Sequence, residues 1–163
     1  MIDPAIRQRW RDEGHWRDYN LGQALAAAAA TRPEAMLTLH SAIRPERYTL
    51  RYVHERGRLI AGSLAASGLQ AGDVVALQLP NWIEAALVWQ GAAALGCVVL
   101  PIVTIYGETE LDFTLRDAKA RILFVPRRWG RGDPLERVRR LGALPDLREI
   151  VVVDGAGERG VLD

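Results

Sequence analysis

The chain has one cysteine, three histidines and almost no net charge, and each shortage removes a class of function. A lone Cys97 cannot build an intrachain disulfide framework and fits a reducing compartment. A net charge of +1 leaves no global field to draw the chain to nucleic acid or to an anionic membrane. His15, His40 and His54 have neither metal-ligand spacing nor a cysteine nearby. The N-terminus shows no apolar segment beside a basic region, so no secretory signal is visible and a cytoplasmic location is expected. There is no internal repeat and no long linker.

Catalytic side chains are equally scarce. Cys97 lies in an apolar run, where a thiol is packing rather than nucleophile. Ser63, in Ala-Gly-Ser-Leu-Ala, lacks the second glycine of a nucleophile elbow and falls inside a helical segment. No residue can be assigned a catalytic, cofactor-binding or metal-binding role from these patterns.

Charge is also missing between Ala85 and Gly107, a stretch long enough to span a bilayer. It is rich in Ala and Gly, holds Gln90, is cut by Gly96 and Pro101, and has no basic flank. It therefore reads as a covered helix and strand of a soluble fold, with no membrane span.

What is present has the grammar turn, strand, helix, strand, from Ala71 to Tyr106. Ala71-Gly72-Asp73 makes a turn and 74–79 is an apolar run of strand length. Pro80-Asn81 stops it, with Asn81 placed as N-cap of a helix over 82–95. Glu84, the only charge in that helix, sits in the first turn, where the dipole favours an anion. Gly96 ends the helix and Cys97 opens a second apolar strand. Two buried strands joined by a helix imply a βαβ unit in a parallel sheet.

The flanks continue the alternation. An arm over 1–19 carries Trp10 and Trp16 among arginines, and Asn20 precedes an alanine-rich helix that Pro33 ends. Residues 36–39 read as a strand, and Arg44-Pro45 as the turn before Tyr48. Thr49 caps a helix whose Leu50, Val53, Ile60 and Leu64 share one face, and Gly68 closes it. Thr109 and Asp112 suggest a capping box for a helix with Leu111, Leu115 and Ala118 in a stripe. After a strand over 122–125, Asp133, Pro134 and Glu136 take the N-cap, N1 and N3 positions of a helix with Leu135, Val138 and Leu141 inward. Pro145 breaks the chain before a last strand over 150–153. The expected fold class is α/β, a mostly parallel sheet flanked by helices. Residues 1–68 form an arm, helices and short strands; 69–163 form the βαβ sheet region.

Two motifs invite function. Gly155-Ala156-Gly157-Glu158-Arg159-Gly160 matches G-x-G-x-x-G, but a dinucleotide site needs a helix opening on those glycines and an acid about 20 residues on. Only three residues follow in this sequence, so a Gly-rich tail is the reading. Arg127-Arg128-Trp129-Gly130-Arg131 has the composition of a single-strand binder, yet equally fits a loop leading into a solvated helix. No nucleic-acid partner is expected.

The order of these marks carries a resemblance. Tyr48-Thr49, then Gly68-Leu69-Gln70-Ala71-Gly72-Asp73-Val74-Val75-Ala76, then Leu79-Pro80-Asn81-Trp82, then Leu95-Gly96-Cys97-Val98-Val99-Leu100-Pro101 resembles the opening of the AMP-forming acyl-CoA synthetases. Ile105-Tyr106, Glu110-Leu111 and 120–126 continue it in register. The wording looks most like the cyclohexanecarboxylate and fatty-acid CoA ligase branch, where Trp16-Arg17-Asp18 also has a counterpart. Cys97 stands where the family usually shows Ala, and Gly107-Glu108 where the close branch often has a basic residue.

The resemblance implies a domain of an enzyme that uses ATP and Mg²⁺ to make an acyl-adenylate and passes the acyl group to coenzyme A. The Gly- and Thr-rich loop ending Pro-Lys-Gly, the acidic Mg²⁺ partner, the ribose aspartate and the C-terminal lysine have no counterpart in these 163 residues. The resemblance therefore implies an incomplete N-terminal domain, inactive alone, that binds no cofactor by itself. Its expected partner is the remainder of the ligase, or another copy of the chain. A non-catalytic interaction module that keeps the fold is the alternative.

Overall fold

The computed structural model describes residues 2–41, 44–130 and 132–153. Arg131 and the 155–160 glycine motif lie outside the described residues. Twelve elements are described: α1 (Pro4–Asp12), α2 (Leu21–Thr31), β1 (Met36–Leu39), β2 (Glu46–Thr49), α3 (Leu50–Ala66), β3 (Val74–Leu77), α4 (Ile83–Leu95), β4 (Val98–Pro101), α5 (Glu108–Asp117), β5 (Ile122–Pro126), α6 (Pro134–Arg139) and β6 (Glu149–Val153).

The expected α/β architecture is present. β3 to β6 form a four-stranded parallel sheet in the order β4-β3-β5-β6, while β1 and β2 make a separate antiparallel pair. The predicted βαβ unit is β3-α4-β4, with Val74 beside Val98 and Leu77 beside Pro101. Side chains alternate across the sheet, as the two-residue period requires. Val75, Leu77, Ile122, Phe124, Val151 and Val153 join the cluster containing Ile60 of α3 and Val88 of α4. Ala76, Leu123 and Val125 face Leu111 and Leu115 of α5 and Val138 of α6. Helices cover both faces, which is why these strands read as continuous apolar runs.

α4 is apolar on every side because α2, α3 and the sheet all meet it. A Cβ on Gly22 of α2 would lie 2.5 Å from Ala94 Cα, so glycine there permits the closest approach of the two helices. Gln90, 6% exposed, spans the same gap by donating to the Gly22 carbonyl at 3.2 Å. No described helix is long and apolar enough to cross a membrane.

Most caps fall where the sequence puts them. Asn20 and Gln23 form a reciprocal capping box, and Thr49 and Asp133 accept from the backbone of Tyr52 and Glu136. Gly96 ends α4 in the left-handed region at φ +84°. Two assignments need correction. Asn81 is exposed and caps nothing: the N-cap is Trp82, held by a tight turn in which its N–H donates to Pro80 O at 2.7 Å. Thr109 and Asp112 are not a capping pair, because α5 starts earlier. Glu110 accepts from Gly107 N–H at 3.1 Å, and Asp112 pairs instead with Arg116 at 2.7 Å. β2 is a strand that the sequence signals did not mark, since Arg44-Pro45 reads locally as a turn.

Candidate functional site

Loops leaving the carboxyl ends of parallel strands are where α/β sheets place ligands, because the connections diverge there and open a crevice. Here that end holds a cleft of about 820 Å³, floored by Leu77 and Leu79 from the end of β3 and by Ile102 after β4. Its walls are α2, β1 and the first turns of α4, which present Leu25, Leu37 and Trp82. The lining is mostly carbon. Such a surface takes an apolar group and gives little to a phosphate.

A polar cluster stands beside it. The Arg44 guanidinium donates to Glu46 at 3.1 Å and to Glu84 at 3.0 Å, and lies 5.4 Å from the Trp82 ring centroid. Tyr48 Oη donates to the same Glu46 oxygen at 3.1 Å. Burial and then the bond to Glu46 push the Tyr48 phenol up to about 12. Arg44 is also held above its ordinary value: burial opposes the charge, and the bonds to Glu84 and Glu46 more than offset it. Buried Arg44 Nη1, Trp82 Nε1 and the Oε2 atoms of Glu46 and Glu84 have no hydrogen-bond partner among the described residues. One guanidinium between two carboxylates is not a phosphate site. Its charge is already spent, and an added anion would meet a net negative cluster.

The sequence-level candidates do not converge. His15 is exposed on the arm, 3.7 Å from Glu13; His40 lines the cleft; His54 is on α3. No group of three or more potential metal ligands occurs among the described residues. Ser63 is exposed on α3. Cys97 is buried and donates to Gln70 O at 3.4 Å, and burial followed by the Asp73 charge pushes its thiol up, away from the reactive thiolate. Arg127 and Arg128 are exposed, whereas Trp129 turns inward and meets Trp82 edge-on with centroids 6.0 Å apart. Neither the cleft lining nor the Arg44 cluster presents an uncommitted lysine or arginine to a phosphate. Sequence reasoning missed the Arg44 cluster, although Glu84, a single charge in an otherwise apolar helix, was its visible trace.

Comparison with known proteins gives this cleft a context. Residues 25–161 match the model of the AMP-binding enzyme family. A medium-chain fatty-acid–CoA ligase of Escherichia coli K12 is 28% identical over 151 residues, covering 91% of this chain and 26% of that protein. The apo structure of MbtA from Mycobacterium smegmatis superposes with a TM-score of 0.79 at 26% identity, over 100% of this chain and 32% of its own. A fatty acyl CoA synthetase of Mycobacterium tuberculosis gives 0.73 at 25% identity, over 83% and 27%. The chain thus spans about a quarter to a third of the length of these relatives. Matched over most of its length, the chain belongs to the AMP-binding enzyme family.

Proposed function

We propose that this chain supplies the N-terminal part of an AMP-forming acyl-CoA ligase, residues 1–163 being a partial synthetase domain with an arm, helices and short strands over 1–68 and the βαβ sheet region over 69–163. The complete enzyme would join a carboxylate to the α-phosphate of ATP with release of pyrophosphate. It would then transfer the acyl group to the coenzyme A thiol with release of AMP. ATP, Mg²⁺ and coenzyme A are thus requirements of the complete enzyme. A cytoplasmic location accords with these soluble substrates. In this reading the described residues contribute an apolar wall and a rigid sheet, and the groups that neutralise phosphates come from elsewhere.

One observation carries the reading: helices cover both faces of the sheet, but β4 and the loop after it leave apolar side chains exposed. Val98 and Val103 are each 53% exposed and Ile105 88%, an apolar rim of the kind that marks a covered surface. A longer ligase chain would cover it. The test is pyrophosphate exchange into ATP with a panel of fatty and aromatic acids. The 163 residues alone should give none, and exchange should appear when a fragment carrying the phosphate loop and C-terminal domain of a related ligase is added. Acyl-adenylate made by the isolated chain would overturn the proposal.

The alternative, a non-catalytic interaction module that binds a full-length relative, draws on the same rim. It would be favoured by stable binding to an intact ligase without any gain of exchange by complementation.

A further inference from the structure

The two edges of the parallel sheet differ in what they offer a further strand. On β4, Val98 N–H donates to Asp73 O at 2.9 Å and Ile102 N–H to Leu77 O at 2.8 Å. Alternation then turns Val99 and Pro101 outward, and Pro101 has no N–H. That edge is blunted, as proline commonly blunts edges. On β6, Arg127 N–H donates to Val153 O at 2.8 Å, so residue 153, and by alternation 151 and 149, faces β5. Ile150 and Val152 therefore turn both N–H and C=O outward. β6 contains no proline, its only charge is Glu149, and no described strand lies on its far side.

We infer that two copies of this chain pair antiparallel through the outer edges of β6, about a two-fold axis at Val151. The outward positions are symmetric about that residue. Ile150 of one copy then faces Val152 of the other, and each such pair exchanges two N–H···O bonds, making four in all. Val151 meets its own copy in the intervening non-hydrogen-bonded pair, where Cα atoms come within about 4.5 Å. Glu149 falls opposite Val153, so no like charges meet. Moving the axis to Ile150 would set Val152 opposite Arg148, whose N–H is already given to Arg121 O at 2.9 Å, and bonds would be lost. A two-fold axis normal to the sheet also keeps each face continuous. Ile150 and Val152 stay on the α5/α6 side, and Val151 and Val153 on the α3/α4 side. The result is one eight-stranded sheet.

This inference concerns the 163-residue chain and does not depend on the ligase chemistry, so a negative pyrophosphate exchange leaves it standing. The test replaces Val151 by cysteine in a Cys97→Ser background and oxidises the protein at low micromolar concentration. A disulfide-linked dimer is expected, because paired residues at that spacing suit the bond. Val98→Cys in the same background, on the blunted edge, should remain uncross-linked. By sedimentation the unsubstituted chain should be a dimer. Val152→Pro removes an outward donor without touching the β5–β6 ladder, and should sediment as a monomer with unchanged far-ultraviolet circular dichroism. If that variant fails to fold, the cysteine result decides. A monomeric unsubstituted chain, or cross-linking no faster at Val151→Cys than at Val98→Cys, would overturn the pairing.

Discussion

Gly91 of α4 sits so close to Ile60 of α3 that a Cβ built on it would stand 2.7 Å from both the Cβ and the Cγ2 of Ile60. The contact is backbone against a β-branched side chain that is itself 2% exposed, so neither side can give way cheaply. Gly91→Ala should therefore destabilise by about 1–3 kcal/mol, as overpacking does. Gly62 lies on the exposed face of α3 with nothing within 4 Å, and Gly62→Ala should stabilise by about 0.5–1 kcal/mol. Urea denaturation of the two variants checks both; equal effects would refute the packing account.

Arg44 ties the start of β2 to the first turn of α4, with its own side chain and that of Glu84 each 15% exposed. Removing the cation leaves two carboxylates with no countercharge in a largely dry place. Arg44→Met should cost roughly 3 kcal/mol, while adding Glu84→Gln to it should recover part of that loss. A double-mutant cycle by chemical denaturation measures the recovery, and strict additivity would show that the pair is not coupled.

Tyr48 sets a pH dependence at the alkaline end. Its phenol titrates at about 12 in the fold and at about 10 in the unfolded chain, so the fold favours the protonated form. That contribution is fully present below about pH 10 and is lost as pH rises towards about 12, because the unfolded state releases its proton first. Stability should fall across this window, and Tyr48→Phe should flatten the fall. Ultraviolet titration should show a late-ionising phenol that Tyr48→Phe removes.

The basic loop after β5 gives a prediction about RNA. Trp129 is engaged edge-on with Trp82 and packs on the core, so it is not a free platform for a base. Binding of single-stranded RNA should be weak and should vanish by about 200 mM salt. Filter binding across a salt series checks it. Affinity that persists and is lost on Trp129→Ala would restore the nucleic-acid reading.

By itself the sequence determined the fold class and the elements, β2 excepted. Each is written in contacts between near neighbours: Asn20 with Gln23, Thr49 with Tyr52, Gly96 in its left-handed turn, and an apolar run long enough for one strand. Such signals depend on three or four residues and survive without the rest of the chain. The α5 cap went astray for the same reason in reverse, since Gly107 carries no side chain to announce itself and Glu110 supplies the bond. Only the tertiary structure decided which strand lies at an edge, because pairing is set by the crossovers and not by composition. β4 and β3 read alike as apolar runs, yet β3 is enclosed and β4 leaves Val98 half exposed. The cluster of Arg44, Glu46 and Glu84 belongs to the same class. Arg44 and Glu84 are 40 residues apart, and nothing local tells that guanidinium which carboxylate it will meet. Their pairing follows from where the segment before β2 comes to lie beside the first turn of α4, a long-range packing choice that the chain makes only when the core closes.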